Sequence, residues 1–482
     1  MQILSLFIVP LVGMLLVRLM PDSRKAMWAA LAVALVSLGD VLVKMMSLDP
    51  AAGYQMVFDQ YWVKELGISF YVGVDGIGML MVFLTALLMP LIVFASADRD
   101  IHDFRNFYSL VFMMQAALYG VFVSLDGFLF YVFWELALIP IWFICLLWGG
   151  KERVKVTLKF FIYTLSGSLL MLLGIIWLWL QTPDTHSFDI NSFLSLSLTD
   201  SQQSWVFWAF FIAFAIKIPV FPFHTWQPDT YVSAPATGTM LLSGIMLKMG
   251  LFGLIRWVLP VVPAAVDAWA WLAVGLAVFG VVYAAIMAMA QNDFKRMAAY
   301  SSMSHVGLIA AAILTADATA VQGSAYQMIS HGVNAIGLFF VAEILQRRFD
   351  DRSMNEMGGF AHVSRPFAIG FMVILLGNVA LPLTNGFVGE FLMLSGIYNY
   401  GAWTAAFAGL SVILGAVYML NAYRKTTLGE ASAVASSFTP LTNNEKIMLV
   451  VVGALIIIGG IYPKPLMDLA GPSLDAITSK SF

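Results

Sequence analysis

Charged residues are scarce in this sequence. Only 11% of its 482 residues are Asp, Glu, Lys or Arg, whereas about a quarter are charged in an ordinary soluble chain. Hydrophobic residues make up 61%, which is more apolar surface than a single soluble core can bury. The formal net charge of -3 gives no reason to expect nucleic acid or an acidic polymer as a partner. The composition therefore predicts a protein whose solvent is mostly lipid.

Cysteine and nucleotide-binding motifs are also scarce. Cys145 is the only cysteine and lies within an apolar run, which excludes disulfides within the chain and clusters held by its own thiolates. The sequence has no GxxxxGK[ST] loop, no dinucleotide-binding fingerprint after a strand and no HExxH motif. We therefore predict that this chain by itself holds no cofactor and no metal.

Apolar runs long enough to cross a membrane recur from one end of the chain to the other. Because a helix rises 1.5 Å per residue, roughly twenty apolar residues are needed to cross the hydrocarbon core. On this basis the sequence predicts an all-α polytopic membrane protein with about fourteen transmembrane helices. The predicted spans are 2–20, 27–47, 70–96, 107–124, 126–148, 156–180, 205–224, 234–259, 268–290, 297–316, 320–345, 366–400, 403–423 and 446–463.

Basic residues fall in alternate loops between these spans. The loops near 151–155 and 347–352 are basic, whereas the loop 182–203 contains acidic residues and neither Lys nor Arg. Because Lys and Arg are retained on the cytoplasmic side, the basic loops are predicted to face the cytoplasm. Both termini then face the periplasm, and the short loops favour a bacterial inner membrane.

Proline and glycine interrupt two of the predicted spans. The breaks occur at Lys217–Pro222 in the seventh span and at Leu381–Gly386 in the twelfth. They lie five spans apart, and an odd offset reverses orientation, so we predict two inverted five-helix repeats with discontinuous helices 7 and 12. The predicted divisions are 1–106 (helices 1–3), 107–259 (first repeat, helices 4–8), 260–424 (second repeat, helices 9–13) and 425–482 (helix 14 and tail).

Four full charges lie well inside predicted spans: Glu135, Lys217, Lys248 and Glu390. Each costs roughly 2.5–3.5 kcal/mol at a helix centre unless it has a partner. The positions three and four residues away are apolar, aromatic or glycine, so the partners must come from other helices. Glu135 and Lys217 are the natural pair. One such pair could be a structural ion pair that locks two helices, but four buried charges favour a proton relay.

Histidines extend this polar set. His331 shares a helical face with Gln327 and Asn334, which makes it the better relay candidate. His305 follows Ser301 by four residues and could instead bond neighbouring helices. His224 lies beside the second break proline and could sit at a cytoplasmic mouth or cap the broken helix.

The remaining charges near helices have local interpretations. Asp40 and Lys44 are spaced to pair along one helix. Asp75 suits the start of the third helix. Arg256 lies near the outer end of the eighth helix, where its side chain is predicted to snorkel toward the surface.

Several motifs resemble those of one family. The motifs are FYVFWELALIP at 130–140, HTWQPD at 224–229, LKMG at 247–250, DFKR at 293–296, YSSMSHVG at 300–307 and GFVGEF at 386–391. Together they resemble subunit M, the chain 4 antiporter-like subunit of proton-pumping NADH:quinone oxidoreductase, or respiratory complex I. The resemblance covers nearly the whole chain.

The resemblance implies a fold, a relay and partners. It implies fourteen helices in two inverted five-helix repeats and a translocase subunit with no redox centre of its own. NADH, FMN, iron–sulfur clusters and quinone would belong to partner subunits, among them other membrane subunits and two further antiporter-like subunits. Membrane lipids and protons would complete the partners. The residues that match the family's relay are Glu135, Lys217, Lys248, His331 and Glu390, with His305 and His224 as less secure members.

One segment departs from the family pattern. After Pro228 and Asp229, members usually continue with Ala-His-x-Glu-Ala-Pro, whereas Thr230–Pro235 here reads TYVSAP. Two ionisable groups are therefore missing from a loop predicted to lie near the cytoplasmic side. Any proton-uptake role of this loop would have to work without them.

Two other functions remain open at this stage. The D-type subunit of multisubunit sodium/proton antiporters is related, but there the resemblance would imply a lysine where this chain has Glu390. A structural subunit that conducts nothing is the alternative from another class, and it would leave four membrane-buried charges without a role.

Overall fold

The computed structural model describes residues 2–183, 186–349 and 353–479. Asp184 and Arg352, which belong to the predicted periplasmic and cytoplasmic loops, lie outside the described residues. The longer helices are α1 (Ser5–Leu19), α2 (Arg24–Ser47), α3 (Gly76–Phe94), α4 (Phe104–Val123), α5 (Gly127–Trp148), α6 (Arg153–Gln181), α7 (Asp200–Lys217), α8 (Gln227–Ser233), α9 (Ala236–Val261), α10 (Pro263–Met289), α11 (Phe294–Leu314), α12 (Ala318–Arg348), α13 (Arg365–Asn378), α14 (Asn385–Tyr400), α15 (Ala402–Thr427), α16 (Asn443–Ile461) and α17 (Lys464–Thr478). Short helical turns occur at Ile190–Leu194, Phe360–Val363 and Ala433–Ser436.

Aspartates set the start of several long helices. Asp75, Asp103, Asp126, Asp293 and Asp317 each stand at the N-cap, and each side chain accepts the backbone N–H three residues further on. These caps satisfy an amide that the first helical turn leaves free, and the negative charge favours the positive end of the helix dipole. The charges of the loops therefore also define where the apolar helices begin.

Twelve helices within the described residues are long and apolar enough to cross a membrane. The all-α polytopic fold predicted from the apolar runs is therefore confirmed. The two remaining predicted spans are the ones that the sequence predicts to be discontinuous. In the seventh, α7 ends at Lys217 and α8 begins only at Gln227, just beyond the predicted end at 224, whereas the twelfth is divided into α13 and α14. Proline lacks the N–H that a continuing helix needs, which accounts for the interruptions at Pro219, Pro222 and Pro382.

Two elements were not predicted. Strand β1 (Gln55–Val63) pairs antiparallel with β2 (Ile68–Val74), and Gly67 between them has a φ of 66°. The predicted start of the third span at 70 is therefore wrong: β-branched and aromatic residues alternate through β2, and α3 begins only after Asp75.

Helix α17 was missed because it is amphipathic and too polar for a span; its Leu469, Leu474 and Ile477 are buried.

The local charge predictions have mixed outcomes. Asp40 and Lys44 pair as predicted, with Nζ 2.5 Å from Oδ1. Asp75 caps α3 as predicted. The prediction that Arg256 snorkels is wrong. Its side chain is 4% exposed and bonds Asp75 Oδ1 at 2.5 Å and the Tyr54 hydroxyl at 3.0 Å. The reason is that Tyr54, just before β1, covers this end of α9.

Burial divides the helices into an interior set and a peripheral set. The apolar stretches of α9, α11 and α12 are wholly buried, whereas α1, α2, α15 and α16 bury only about a third of theirs. Polar groups on the interior helices are therefore surrounded by protein and not by lipid. The four intramembrane charges need this arrangement, because an ionisable side chain facing hydrocarbon has no partner.

Candidate functional site

Lys248 lies at the centre of the interior helices. It is 0% exposed and stands on α9 between two π-helical turns, Leu242–Met246 and Leu254–Val258. A π turn breaks the regular ladder of backbone hydrogen bonds and frees carbonyl groups. Lys248 Nζ uses one of them and donates to the Ser243 carbonyl at 2.6 Å. The local irregularity of α9 thus solvates a buried ammonium group.

His331 of α12 is the second partner of Lys248. Lys248 Nζ lies 2.8 Å from His331 Nδ1, and the other ring nitrogen, Nε2, lies 3.0 Å from the hydroxyl of Ser302 on α11. This contact joins α9 to α12. Three helices therefore meet at one imidazole whose two nitrogens are both engaged.

A second group of polar side chains, His305, Gln327 and Glu390, lies next to this pair. The rings of His305 and His331 have centroids 6.2 Å apart. His305 Nδ1 lies 2.9 Å from Glu390 Oε1 on α14, and Gln327 Nε2 donates to the same oxygen at 3.4 Å. The discontinuity before α14 thus delivers the start of that helix, and with it Glu390, to the interior. Lys248, His331, His305 and Glu390 therefore lie in one polar row, in which a ring contact and not a hydrogen bond joins His331 to His305.

Some members of this row were not singled out from the sequence. Ser302 contacts His331, and Tyr418 of α15 donates its hydroxyl to Ser301 at 3.1 Å. Both serines lie inside the YSSMSHVG motif, so the motif itself was a signal for them. Tyr418 has no such signal, because a single tyrosine in a long apolar helix is common.

Glu135 and Lys217 are electrostatic neighbours without a direct ion pair. Among the described residues no carboxylate lies within 4.0 Å of Lys217 Nζ. Lys217 is 2% exposed, and its Nζ lies 5.4 Å from the ring centroid of Trp134. Ser168 of α6 faces the Glu135 carboxylate. The predicted pairing is therefore one of proximity, with an aromatic ring beside the lysine.

Glycine brings this pair close to Lys248. Gly250 follows Lys248 by two residues, and a Cβ added there would lie 3.0 Å from the Phe214 carbonyl and 3.4 Å from Lys217 Cβ. The missing side chain allows α7 and α9 to approach closely at the level of the two lysines. Lys217 thus packs against α9 near the level of Lys248 but on a different face, because residues two apart on a helix do not point the same way.

His224 is buried in the break between α7 and α8. Its ring stacks on Phe221 with centroids 5.5 Å apart and lies edge-on to Tyr283 at 5.0 Å. Nδ1 has no hydrogen-bond partner among the described residues. The structure does not bring His224 into contact with Lys248, His331 or Glu390, and its predicted roles stay predictions.

A cavity of about 820 Å³ opens at the end of the molecule that carries the basic loops. Lys151, Lys155 and Arg296 line it together with Ser233. Asp229 bonds Lys159 and Arg296, each at 3.1 Å. The segment that departs from the family pattern therefore forms one wall of this cavity, which we call the basic cavity.

Metal ligands are not clustered. Within residues 2–183, 186–349 and 353–479, no group of three or more His, Cys, Asp and Glu side chains could hold a metal ion. The row itself consists of imidazole, ammonium and carboxyl groups, which can donate and accept protons.

Comparison with known sequences identifies close relatives. The profile of the family described as NADH:quinone oxidoreductase/Mrp antiporter, TM, matches residues 124–459. NADH-quinone oxidoreductase subunit M of Rhodobacter capsulatus is 38% identical over 463 residues, which cover 94% of this chain and 90% of the relative. Subunit M of Escherichia coli (strain K12) is 34% identical over 467 residues, 92% of each chain.

Solved structures have the same fold. A chain of respiratory complex I from Thermus thermophilus with bound NADH superposes with a TM-score of 0.92 at 29% identity, over 100% of both chains. A chain of the Mrp complex from Dietzia sp. DQ12-45-1b has a TM-score of 0.85 at 19% identity, over 98% of this chain and 51% of that one, which shows the fold alone. The resemblance to subunit M is confirmed by these matches. The chain belongs to the NADH:quinone oxidoreductase/Mrp antiporter family of transmembrane subunits.

Proposed function

We propose that this chain is the proton-translocating, M-type membrane subunit of a NADH:quinone oxidoreductase. The observation that carries the proposal is the buried row in which Lys248 contacts His331 and His305 contacts Glu390. A row of titratable groups enclosed by protein is what a proton path through a membrane requires.

The geometry favours proton exchange at two points. At the first, Lys248 Nζ and His331 Nδ1 compete for one proton, and the Ser302 hydroxyl can rotate to accept or donate at the other ring nitrogen. At the second, the same exchange is available between His305 and Glu390. The negative charge of Glu135 and the positive charge of Lys217 attract each other, so a change of protonation at one alters how tightly the other holds its proton.

The membrane arrangement is part of the proposal. Fourteen crossings follow if the divided pairs α7/α8 and α13/α14 each count as one, and two inverted repeats then cover 107–259 and 260–424. The basic cavity would face the cytoplasm and both termini the periplasm. The bacterial relatives support a cytoplasmic, or inner, membrane as the location.

The redox chemistry is assigned to other subunits. The relatives' names describe NADH and quinone as reactants of the whole complex, and the Thermus thermophilus complex contains bound NADH. We propose that NADH, FMN, iron–sulfur clusters and quinone bind to partner chains. The other antiporter-like subunits would then be neighbours within the membrane arm.

Substitution of Lys248 by Met tests the function. Methionine keeps the length of the side chain but carries no proton, so proton uptake by inverted vesicles should fall strongly while native gels still show assembled complex. Lys44→Met is the control, because Lys44 is also buried but pairs with Asp40 on the peripheral helix α2. An assembled Lys248→Met complex that pumps as well as the Lys44→Met complex would rule out the relay.

A further inference from the structure

Buried polar atoms without a partner in the protein occur between the basic cavity and Lys248. Among the described residues, Ser233 Oγ, Tyr231 hydroxyl, Gln227 Oε1 and Ser243 Oγ are all buried and make no hydrogen bond of standard geometry, although the side chains of Tyr231 and Gln227 lie close enough to interact with each other. Burial of such an atom without any partner is costly, so these sites are normally satisfied by ordered water. Two of the four residues, Tyr231 and Ser233, stand where the family pattern has His and Glu.

The first part of the route starts at the basic cavity. Ser233 lines this cavity, and Tyr231 lies two residues before it on α8. Tyr231 is fully buried and packs edge-on to Phe339 of α12 with centroids 5.7 Å apart. The Gln227 side chain lies beside the phenol group. The ring therefore spans from the cavity wall toward the interior helices, with its hydroxyl beside the Gln227 amide and able to bind water as well.

From Tyr231 two lines of contacts lead inward. Along α9, Thr239 Oγ1 donates to the Tyr231 carbonyl at 2.9 Å, and Ser243 follows one helical turn later with its carbonyl bonded to Lys248. Along α11, Gln227 Nε2 donates to the Ala299 carbonyl at 3.1 Å. Both lines point toward the same buried pair.

The α11 line reaches His331. Ser302, which contacts His331, follows Ala299 by three residues, or about one helical turn. Because the amide nitrogen of Gln227 is anchored on Ala299, its Oε1 is held in a fixed position as an acceptor. The two lines therefore converge on Lys248 and His331.

We propose that Ser233, Tyr231 and Gln227 line a hydrated proton-uptake route from the basic cavity to the Lys248 and His331 pair. The inference rests on the proposed function and adds the path by which protons arrive. Hydroxyl groups accept one proton while they release another. A proton that enters at the cavity thus emerges at His331 with no net change in Ser233, Tyr231 or the intervening waters. Neutral groups replace the family's ionisable ones here.

Variants at Tyr231 and Gln227 test the route in the assembled complex. We expect Tyr231→Phe and Gln227→Leu to lower proton uptake by inverted vesicles roughly five- to tenfold, the effect of losing one hydrogen bond of ordinary strength. Tyr231→His should restore pumping and make its rate depend on pH near neutrality, because imidazole titrates there. A purely structural role of Tyr231 would not produce this pH dependence.

Two variants serve as matched controls. Tyr119→Phe and Gln115→Leu remove groups that are equally buried but are bonded to each other on α4 and to Ser37 on the peripheral helix α2. Both should assemble and pump normally. If Tyr231→Phe and Gln227→Leu also pump normally while Lys248→Met does not, the route is wrong and the proposed function stands. If Lys248→Met pumps too, the function itself fails.

A covalent block gives an independent test that does not depend on tolerance of a core substitution. In a Cys145→Ala background, Ser233→Cys should react with a small anionic thiol reagent added from the cytoplasmic side, since the cavity is basic, and pumping should then fall. Modification verified by mass spectrometry with no loss of pumping would refute the route.

Discussion

Lys217 shows how a buried charge is accommodated without a direct ion pair. Its Nζ lies over Trp134, one residue before Glu135, and Ser168 faces the carboxylate. An aromatic face attracts a cation but does not take its proton. The lysine is therefore held in place while its proton remains exchangeable, which differs from the locked salt bridge that a structural role would need.

Glu135→Gln tests this interpretation. Glutamine keeps the shape of the side chain but cannot ionise, so Lys217 loses its compensating charge. We expect proton pumping to fall at least about 100-fold, the usual scale for the loss of one proton-transfer group. Coupled quinone reduction should fall with it, and Glu135→Asp should retain part of both activities. Assembly is measured separately on native gels, and an assembled Glu135→Gln complex with normal pumping would leave only a packing role.

Asp126 gives a pH prediction outside the spans. It is the N-cap of α5, where burial raises its pKa to about 6 despite the N–H groups of Leu129 and Ser69. The folded chain thus holds this proton more tightly than the unfolded chain, in which the pKa is about 3.9. The stabilisation is complete below pH about 4 and is lost as pH rises through about 6. Asp189 nearby also has its pKa raised by burial.

Asp126→Asn should remove this pH dependence. The difference in unfolding free energy between wild type and variant should shift by about 2–3 kcal/mol between pH 4 and pH 7, with wild type losing stability. Thermal unfolding of the purified complex in detergent at a series of pH values measures it. A constant difference across this range would contradict the buried, protonated carboxyl.

At the level of elements, irregular helices bring the charged groups together. The π turns of α9 supply a carbonyl to Lys248, and the break before α14 brings Glu390 to His305. Regular helices would satisfy all their own backbone groups and leave the buried charges unsolvated. The irregularities are thus a requirement of the buried row.

The Arg256 and Asp75 pair joins two elements at the outer end. Arg256→Gln leaves the Asp75 carboxylate buried without its partner, which should cost about 3–5 kcal/mol of stability. Adding Asp75→Asn should recover part of the loss, since Asn also caps helices. Lys464→Gln is the control, because Lys464 and Asp468 form an exposed pair and its loss should change little. Melting temperatures in detergent measure all four proteins.

At the level of the whole molecule, the distribution of charge predicts orientation. The basic cavity collects Lys151, Lys155 and Arg296 at one end, whereas Asp126 and Asp189 lie close together at the other. Lys and Arg resist translocation, so the basic end should face the cytoplasm.

Cysteine labelling in oriented vesicles tests this orientation. In a Cys145→Ala background, Lys155→Cys should react only with reagent on the cytoplasmic side and Ser187→Cys only with reagent on the periplasmic side. Cys145 is buried, so its removal should not disturb the fold. Labelling of both positions from the same side would mean that the number of crossings between them is wrong by an odd number.

Much of this protein was predictable from the sequence, because lipid imposes simple rules. A spanning helix needs a long apolar run, and proline breaks it, so the helical fold and both discontinuities were predicted. Placing a charged side chain in hydrocarbon costs free energy, so Glu135, Lys217, Lys248 and Glu390 could be identified from the sequence as residues that need partners.

The contacts themselves required the tertiary structure. The local sequence does not show that Lys248 contacts His331 or that Lys217 lies over Trp134, because the two members of each pair come from different helices. Nor does it show that Arg256 is buried under Tyr54, because Tyr54 lies in the loop before a hairpin that was not predicted. The pattern of a helix shows which face is polar, whereas the rotation and depth of one helix against another are decided by packing, as at Gly250. The sequence therefore determined which residues must be protected from lipid, and only the packing of the helices decided which of them lie in contact.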